Sequence, residues 1–218
     1  MTAPVLPSSS FKYADADVVL PVHYTAPGPV AATDNTPDRI SRAVAQFVRS
    51  MSTYQSRYDR AVAANNFSTF TTGEVVGMQL FMPVPGSPVG TVGCDRCHTT
   101  TAQVSDNVRN NGLDMVAADT GAGRGRFKAP SLRDVGLHSQ FMHDGRFTTL
   151  RQVIEHYNSG VAASPDLDNR LKNPDGSVHQ LNLTSAQMDA IVAFLNTLTD
   201  QAFLSDPKFG NPFGHPSP

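Results

Sequence analysis

Cys94-Asp95-Arg96-Cys97-His98 is the stretch on which the rest of this 218-residue chain depends. A C-x-x-C-H run is typical of a covalent haem c attachment site. Residues three apart on a helical turn share a face, so Cys94 and Cys97 are expected to point at one porphyrin edge. His98 then stands where its imidazole can ligate the iron from the proximal side. The motif predicts one covalently bound haem c, held by Cys94, Cys97 and His98.

Other cysteine chemistries fit the same motif less well. A bare C-x-x-C also suits a redox dithiol, half of a zinc site or a tight disulfide. A zinc site needs two further ligands at similar spacing, and the chain has no third cysteine. A thioredoxin-like dithiol needs a βαβ context, which the flanking sequence does not show. The histidine that completes the motif therefore favours haem.

Composition limits the class of protein. The formal net charge of -2 and the pI near 6.4 show no excess of positive charge of the kind that binds nucleic acid. Apolar residues make up 39% of the chain, and no run approaches the length of a membrane span. The 16 glycines and 16 prolines favour helices joined by long ordered loops. No signal peptide follows Met1, so we expect the mature or trimmed form of a periplasmic or otherwise exported protein.

Residues 1–37 are rich in Pro, Ala, Ser and Thr and predict an extended leader. Residues 38–208 are predicted to form one all-α haem domain with long loops, and 209–218 an irregular tail. A first helix is expected to begin at Pro37, because proline suits the first helical position. Its apolar residues repeat at helical spacing and predict one buried stripe: Ile40, Val44, Phe47, Val48 and Met51.

The later helices are marked by their caps. Thr71 with Glu74, Thr149 with Gln152, and Thr184 with Gln187 each form a capping box. A shorter helix is expected from about residue 54 to 64, and Gly160 is expected to end the helix that opens at Thr149. The last helix carries a single apolar face: Met188, Ile191, Val192, Leu195 and Leu198.

The residue opposite His98 on the iron decides the chemistry, because methionine, tyrosine or an open face gives different potentials and reactivity. On the helix of the 150s, Val153, Ile154 and Tyr157 fall on one inward face, whereas His156 is expected to point to solvent. Spacing alone leaves Tyr157 and Met142 as equal candidates for the sixth ligand. The full set of candidates is Met115, His138, Met142, His143, His156, Tyr157, His179 and Met188.

Four stretches together resemble one known family, the bacterial di-haem cytochrome c peroxidases and MauG. The resemblance covers about residues 38 to 208 and lies in the carboxy-terminal haem domain of that family. The residues that carry it are Phe127-Lys128 through Pro130-Ser131-Leu132-Arg133-Asp134-Val135 to Met142-His143-Asp144-Gly145-Arg146-Phe147 and Thr149-Leu150, then Ala45-Gln46-Phe47-Val48-Arg49-Ser50, Gly77 with Leu80-Phe81, and Ala193-Phe194-Leu195-Asn196-Thr197-Leu198-Thr199-Asp200.

The resemblance implies a class I cytochrome c fold, in which Gly77 lets its helix approach the last helix closely. It implies that Tyr157 occupies the distal ligand position, and we prefer it to Met142 for that reason. It also implies that His143 lies near the haem without ligating it. Arg133, or alternatively Lys128 or Arg126, is expected to pair with the haem propionates.

Departures from the family pattern affect the functional expectation. Family members carry two haem domains, but this chain has one C-x-x-C-H motif and no tryptophan to link two haems. The segment 20–37 resembles the sequence that precedes the amino-terminal haem domain, and it runs directly into the helix that should follow that domain. The amino-terminal domain is therefore expected to be absent. Only one half of the family's calcium site, residues 138–141, is present, which makes calcium doubtful.

Three functions are consistent with these observations. The first is a mono-haem electron-transfer protein that docks with a redox partner protein. The second is a peroxide-reactive enzyme of the cytochrome c peroxidase or MauG type. The third is a haem subunit that pairs with a separate haem protein. We prefer the first, because the domain that normally reacts with peroxide is not found in this sequence.

Overall fold

The structure is a computed structural model that describes residues 37–99, 103, 105 and 107–210. The predicted leader and the end of the tail, 1–36 and 211–218, lie outside the described residues. Two short strands, β1 (Val108–Arg109) and β2 (Phe127–Lys128), pair antiparallel. The helices are α1 (Pro37–Ser50), α2 (Arg57–Ala63), α3 (Thr72–Phe81), α4 (Leu150–Glu155), α5 (Ser185–Asn196) and α6 (Gln201–Leu204). The described chain is thus helix-rich, as predicted, with one small two-stranded sheet that the all-α prediction did not include.

The chain divides into two compact units. One consists of Gln55–Gln201, and the other of Met1–Tyr54 together with Ala202–Pro218. These bounds differ from the predicted domain of residues 38–208, because 38–54 and 202–208 group with the second unit. Every predicted site residue lies in the unit Gln55–Gln201.

The core of this unit is built where α3 packs against α5. Gly77 makes the close approach feasible, since a Cβ at this position would overlap the carbonyl group of Ala190 and lie 2.9 Å from the Cβ of Phe194. Phe194 and Ile191 are fully buried beside it. The remaining buried apolar residues of this cluster are Ala61, Phe70, Met78, Leu80, Phe81, Val135, Leu150, Ile154, Leu183, Met188, Leu195 and Leu198.

The predicted capping boxes are confirmed at Thr71, Thr149 and Thr184. Each threonine side chain accepts a hydrogen bond from the backbone N–H three residues on, and the residue at that position bonds back to the cap. The helix that opens at Thr149 changes character before its predicted end at Gly160. It is α-helical only to Glu155 and continues as a π-helical turn over His156–Gly160.

The apolar stripe of α1 is not buried, contrary to the prediction. Val44 and Val48 are each 56% exposed, and Ile40 is 50% exposed. Within its own unit α1 contacts the segment after α6 through Phe47, whose ring centroid lies 6.1 Å from that of Phe209. Helical spacing shows only that these residues share a face. Whether another element covers that face depends on tertiary packing.

Candidate functional site

The C-x-x-C-H motif forms one tight turn on the wall of a cavity. Gly93, at φ +74°, precedes a 3₁₀ turn over Cys94–Arg96. The backbone N–H groups of Cys97 and His98 both donate to the carbonyl oxygen of Cys94, at 3.2 and 3.1 Å. Both cysteines are free thiols, so the structure does not show the tight disulfide. Cys94, Cys97 and His98 all line the cavity.

The cavity has a volume of about 550 Å³, within the range of small-molecule and cofactor sites. Its lining is contributed by the ends of α3, α4 and α5, by the π-helical turn and by the long loops between them. Phe81, Leu195 and His98 are among the lining residues, and the Phe81 and His98 ring centroids are 6.5 Å apart. Further apolar side chains that line the cavity are Val92, Phe127, Leu132, Val135, Phe141, Leu150, Val153, Ile154, Leu171 and Leu181.

The imidazole of His98 is oriented by two backbone carbonyls. Its Nδ1 lies 3.0 Å from the carbonyl oxygen of Gln103 and 3.1 Å from that of Pro130. Because a carbonyl only accepts, Nδ1 must carry the proton, and Nε2 is left with a lone pair. Burial lowers the pKa of His98, which further favours the neutral ring. A neutral imidazole held by its second nitrogen is the form that ligates a metal.

The pKa values of the two thiols shift in the opposite direction from those of a redox-active dithiol. Burial raises the pKa of Cys94 to about 12, and burial also raises the pKa of Cys97. Redox-active dithiols instead depend on a lowered thiol pKa, which supplies the attacking thiolate. Two neutral thiols, a histidine whose Nε2 keeps its lone pair and a largely apolar cavity wall match what haem c requires, so the residues present fit this group.

Both candidates for the distal ligand line the same cavity as His98. Tyr157 lies in the π-helical turn, and such turns are frequent at functional sites. Burial raises the pKa of its hydroxyl, and the Asn111 side chain acts in the other direction. Met142 has a left-handed backbone, with φ +69°, and its Sδ accepts a hydrogen bond from Nδ2 of Asn111 at 3.4 Å.

His156 is buried, with 6% of its surface exposed, and the expectation that it points to solvent is wrong. Its Nε2 donates to the carbonyl oxygen of Asn111 at 3.2 Å, and its ring lies between those of Phe147 and Tyr157. The expectation assumed 100° per residue throughout the helix. The wider π turn begins at His156, and the loop that contains Asn111 packs over the face that the helix alone would leave exposed.

His143 lines the cavity and stacks on Phe127, with ring centroids 3.8 Å apart and planes 9° from parallel. Arg133 is not among the cavity-lining residues. Its guanidinium pairs instead with the carboxylate of Asp59 at 2.7 and 2.8 Å. Of the two alternatives predicted for the propionates, Lys128 lines the cavity, whereas Arg126 bonds to its own loop at the carbonyl oxygen of Gly123.

The other sixth-ligand candidates separate into two groups. His138 and His179 line the cavity. Met188 belongs to the buried core and Met115 is 53% exposed. The motif stretch and Tyr157 thus come together with His143, Met142 and these two histidines around one space.

Sequence reasoning missed an ionic cluster on the cavity wall. Arg109 Nη1 lies 2.9 Å from Asp168 Oδ2, and Arg170 Nη1 lies 3.5 Å from Asp168 Oδ1. Asn111, which contacts Met142, was missed as well. The loop 99–126 reads only as a polar stretch, and its one local signal is Asn110-Asn111-Gly112, which is typical of turns.

These features together are those of a haem c protein. The chain belongs to the di-haem cytochrome c peroxidase family, whose sequence model matches residues 72–189. The match includes the attachment motif, both distal candidates and the helices α3 and α4.

Individual relatives agree with this assignment. The methylamine utilization protein MauG of Methylorubrum extorquens is 29% identical over 73% of this chain. The cytochrome c551 peroxidase of Nitrosomonas europaea is 29% identical over 84% of this chain. The matched regions make up 43% and 49% of those two proteins, so the chain spans about half the length of the curated relatives it matches.

Among solved structures, a MauG-like protein associated with microbial copper homeostasis aligns over 84% of this chain and 63% of its own. The TM-score is 0.64 and the identity 25%. The di-haem peroxidase BthA from Burkholderia thailandensis shares the fold, with a TM-score of 0.54. Among the described residues of this chain, no helix is long and apolar enough to cross a membrane.

Proposed function

We propose that this protein is a mono-haem electron-transfer member of the di-haem peroxidase family, in which His98 and Tyr157 would both ligate the haem iron. One observation carries the proposal. His98, whose Nδ1 is held by two backbone carbonyls so that Nε2 keeps its lone pair, lines a cavity that Tyr157 also lines, which supports these two residues as ligands of one iron. A haem with both faces occupied by protein suits electron transfer, whereas peroxide chemistry needs an open face.

The chain's own residues would perform four tasks in this proposal. Cys94 and Cys97 would anchor the cofactor through thioether bonds, and the carbonyls of Gln103 and Pro130 fix the orientation of His98. Tyr157 would supply a second ligand from a turn that begins where α4 ends. The apolar side chains of the wall would limit the access of water to the cofactor. Bound haem c supplies a one-electron iron centre whose potential depends on the axial ligands.

The packing of α3 against α5 supports a class I cytochrome c-like arrangement as part of the proposal. Gly77 provides the close helix crossing that the family resemblance implies, and Phe81 at the end of α3 reaches the cavity. A redox partner protein would exchange electrons with this centre. Because haem c is attached outside the cytoplasm, we place the protein in the periplasm or another exported location.

The first experiment tests the cofactor and its ligand. Denatured protein should retain one haem per chain, because thioether bonds survive unfolding. Tyr157→Phe should remove phenolate-to-iron charge-transfer absorption from the ferric spectrum. Tyr58→Phe is the matched control, since the Tyr58 hydroxyl contacts Met82 Sδ at 3.6 Å and the residue packs against the core. Zinc in place of iron, or an unchanged Tyr157→Phe spectrum, would overturn the assignment.

The second experiment separates electron transfer from peroxide chemistry, which membership of a peroxidase family keeps as the alternative. The reduced protein is mixed rapidly with hydrogen peroxide and an electron donor. We expect turnover well below about 1 per second, the low end of ordinary enzymes. Turnover at or above that rate would favour the enzyme. Stimulation only when a second haem protein is added would favour the paired-subunit function.

A further inference from the structure

Asn111 contacts one of the two residues that compete for the distal position. Its Nδ2 donates to Met142 Sδ at 3.4 Å. An asparagine amide carries two N–H donors, and the sulfur engages one of them. Burial raises the pKa of the Tyr157 hydroxyl, and the Asn111 side chain opposes that shift. Asn111 lines the same cavity as Met142 and Tyr157.

The backbone of Asn111 is held from several directions. Its carbonyl oxygen accepts from Nε2 of the buried His156, the residue before Tyr157. On its N-terminal side, the Asn110 side chain accepts from the N–H of Gly112 at 2.8 Å and donates to the carbonyl of Arg124 at 2.9 Å. The carbonyl of Gly112 in turn accepts from the N–H of Ala162 at 2.7 Å. These hydrogen bonds therefore hold the backbone that positions the Asn111 amide.

Met142 is restrained as well. Its positive φ of +69° is uncommon for a residue with a side chain. The turn that imposes it is closed by the N–H of Phe141, which donates to the carbonyl of Phe147 at 2.8 Å. Arg146 then ties this turn to Asp114, three residues beyond Asn111, at 2.8 Å. Two contacts thus join this turn to the loop that contains Asn111. They are the Arg146–Asp114 ion pair and the hydrogen bond from the Asn111 amide to the Met142 sulfur.

A thioether and a phenolate place an iron at different potentials, and methionine gives the higher one. A hydrogen bond to a sulfur atom orients that atom. The bond also engages a sulfur lone pair, so the sulfur becomes a weaker ligand for a metal. We propose that Asn111 is a positioning residue that reserves the distal site for Tyr157 by holding the Met142 sulfur in a hydrogen bond. This inference rests on the proposed function, because it takes Tyr157 as the ligand.

The test uses the haem-loaded protein and two readouts, the ferric spectrum and the midpoint potential. Asn111→Leu has nearly the same shape but no donor. We expect it to lose phenolate-to-iron absorption, to gain a thioether-to-iron band, and to shift the potential upward. Asn111→Gln keeps the amide and should restore the wild-type spectrum, which a purely structural role would not require.

Two further variants make the result decisive. Adding Met142→Leu to Asn111→Leu should abolish the thioether band, because the sulfur is then gone. If Asn111→Leu does not fold, Asn111→Asp serves instead, since a carboxylate cannot donate to sulfur. The spectrum is then the readout, with the phenolate band lost and the thioether band gained, because the added negative charge by itself lowers the potential. An unchanged spectrum and potential in the Asn111 variants would overturn this inference alone. An unchanged Tyr157→Phe spectrum would overturn the ligand assignment and this inference with it.

Discussion

The guanidinium of Arg133 forms two hydrogen bonds with the carboxylate of Asp59, at 2.7 and 2.8 Å, across 74 residues of sequence. Both side chains are largely buried, with 8% and 16% exposed. Asp59 lies in the first turn of α2 and also accepts from the N–H and the hydroxyl of Ser56. The pair therefore joins the start of α2 to the loop that leads into the cavity wall at Val135.

We expect Arg133→Met to lower the free energy of unfolding by about 3 kcal/mol, because it leaves a buried carboxylate without its cation. Urea unfolding followed by circular dichroism measures the change. Arg124→Met is the matched control, since its pair with Asp166 is exposed and should contribute less than about 1 kcal/mol. Equal losses in the two variants would contradict the distinction between buried and exposed pairs.

The same variant tests the role that sequence reasoning assigned to Arg133. Because the residue is absent from the cavity wall, Arg133→Met should leave the midpoint potential of the haem unchanged. The change in midpoint potential caused by Arg124→Met is the control. A larger change in Arg133→Met would show that Arg133 acts on the cofactor.

The stability of the protein should depend on pH through Asp59. Burial disfavours its charged form, but hydrogen bonds from Arg133 and Ser56 outweigh this, and the pKa of Asp59 is lowered. A carboxylate with a lowered folded-state pKa stabilises the protein above its unfolded pKa, about 3.9, and this stabilisation is lost as the pH falls through the folded pKa.

Unfolding free energies measured from about pH 6 downward to about pH 3 should therefore fall, and Asp59→Asn should flatten the decline. Glu74, whose pKa is lowered chiefly by its hydrogen bond with Arg57, accounts for part of the remaining slope. A slope that is the same in wild type and Asp59→Asn would rule out Asp59 as a source.

Gly77→Ala should destabilise the protein by about 1–3 kcal/mol, because the added methyl overlaps the Ala190 carbonyl and forces α3 away from α5. Thermal unfolding measures the loss. Gly90→Ala introduces the same methyl where nothing lies within 4 Å, and it should be neutral or slightly stabilising. An equally stable Gly77→Ala would mean that the two helices can separate without cost.

Met142→Leu should leave the ferric spectrum and the midpoint potential unchanged, because Tyr157 is the proposed ligand and the sulfur is held by Asn111. Optical spectra in both oxidation states and a redox titration are sufficient measurements. The opposite result, in which Met142→Leu changes both and Tyr157→Phe changes neither, would make methionine the distal ligand.

The sequence by itself determined the features that depend on a few neighbouring residues. Thr71, Thr149 and Thr184 mark helix starts because a capping box is completed within one turn. The attachment motif likewise needs only five consecutive residues, and its cysteines and histidine lie together on the cavity wall. Gly77 was identified through the family resemblance, and its crowded surroundings agree with it.

Only the tertiary structure decided which groups meet across long stretches of chain. It paired Arg133 with Asp59, placed Asn111 against Met142 and buried His156 beneath the Asn111 loop. It also left the apolar face of α1 exposed, although the spacing predicted a buried stripe. Helical periodicity shows which residues share a face but contains no information about what lies opposite, and it fails where α4 widens into a π turn.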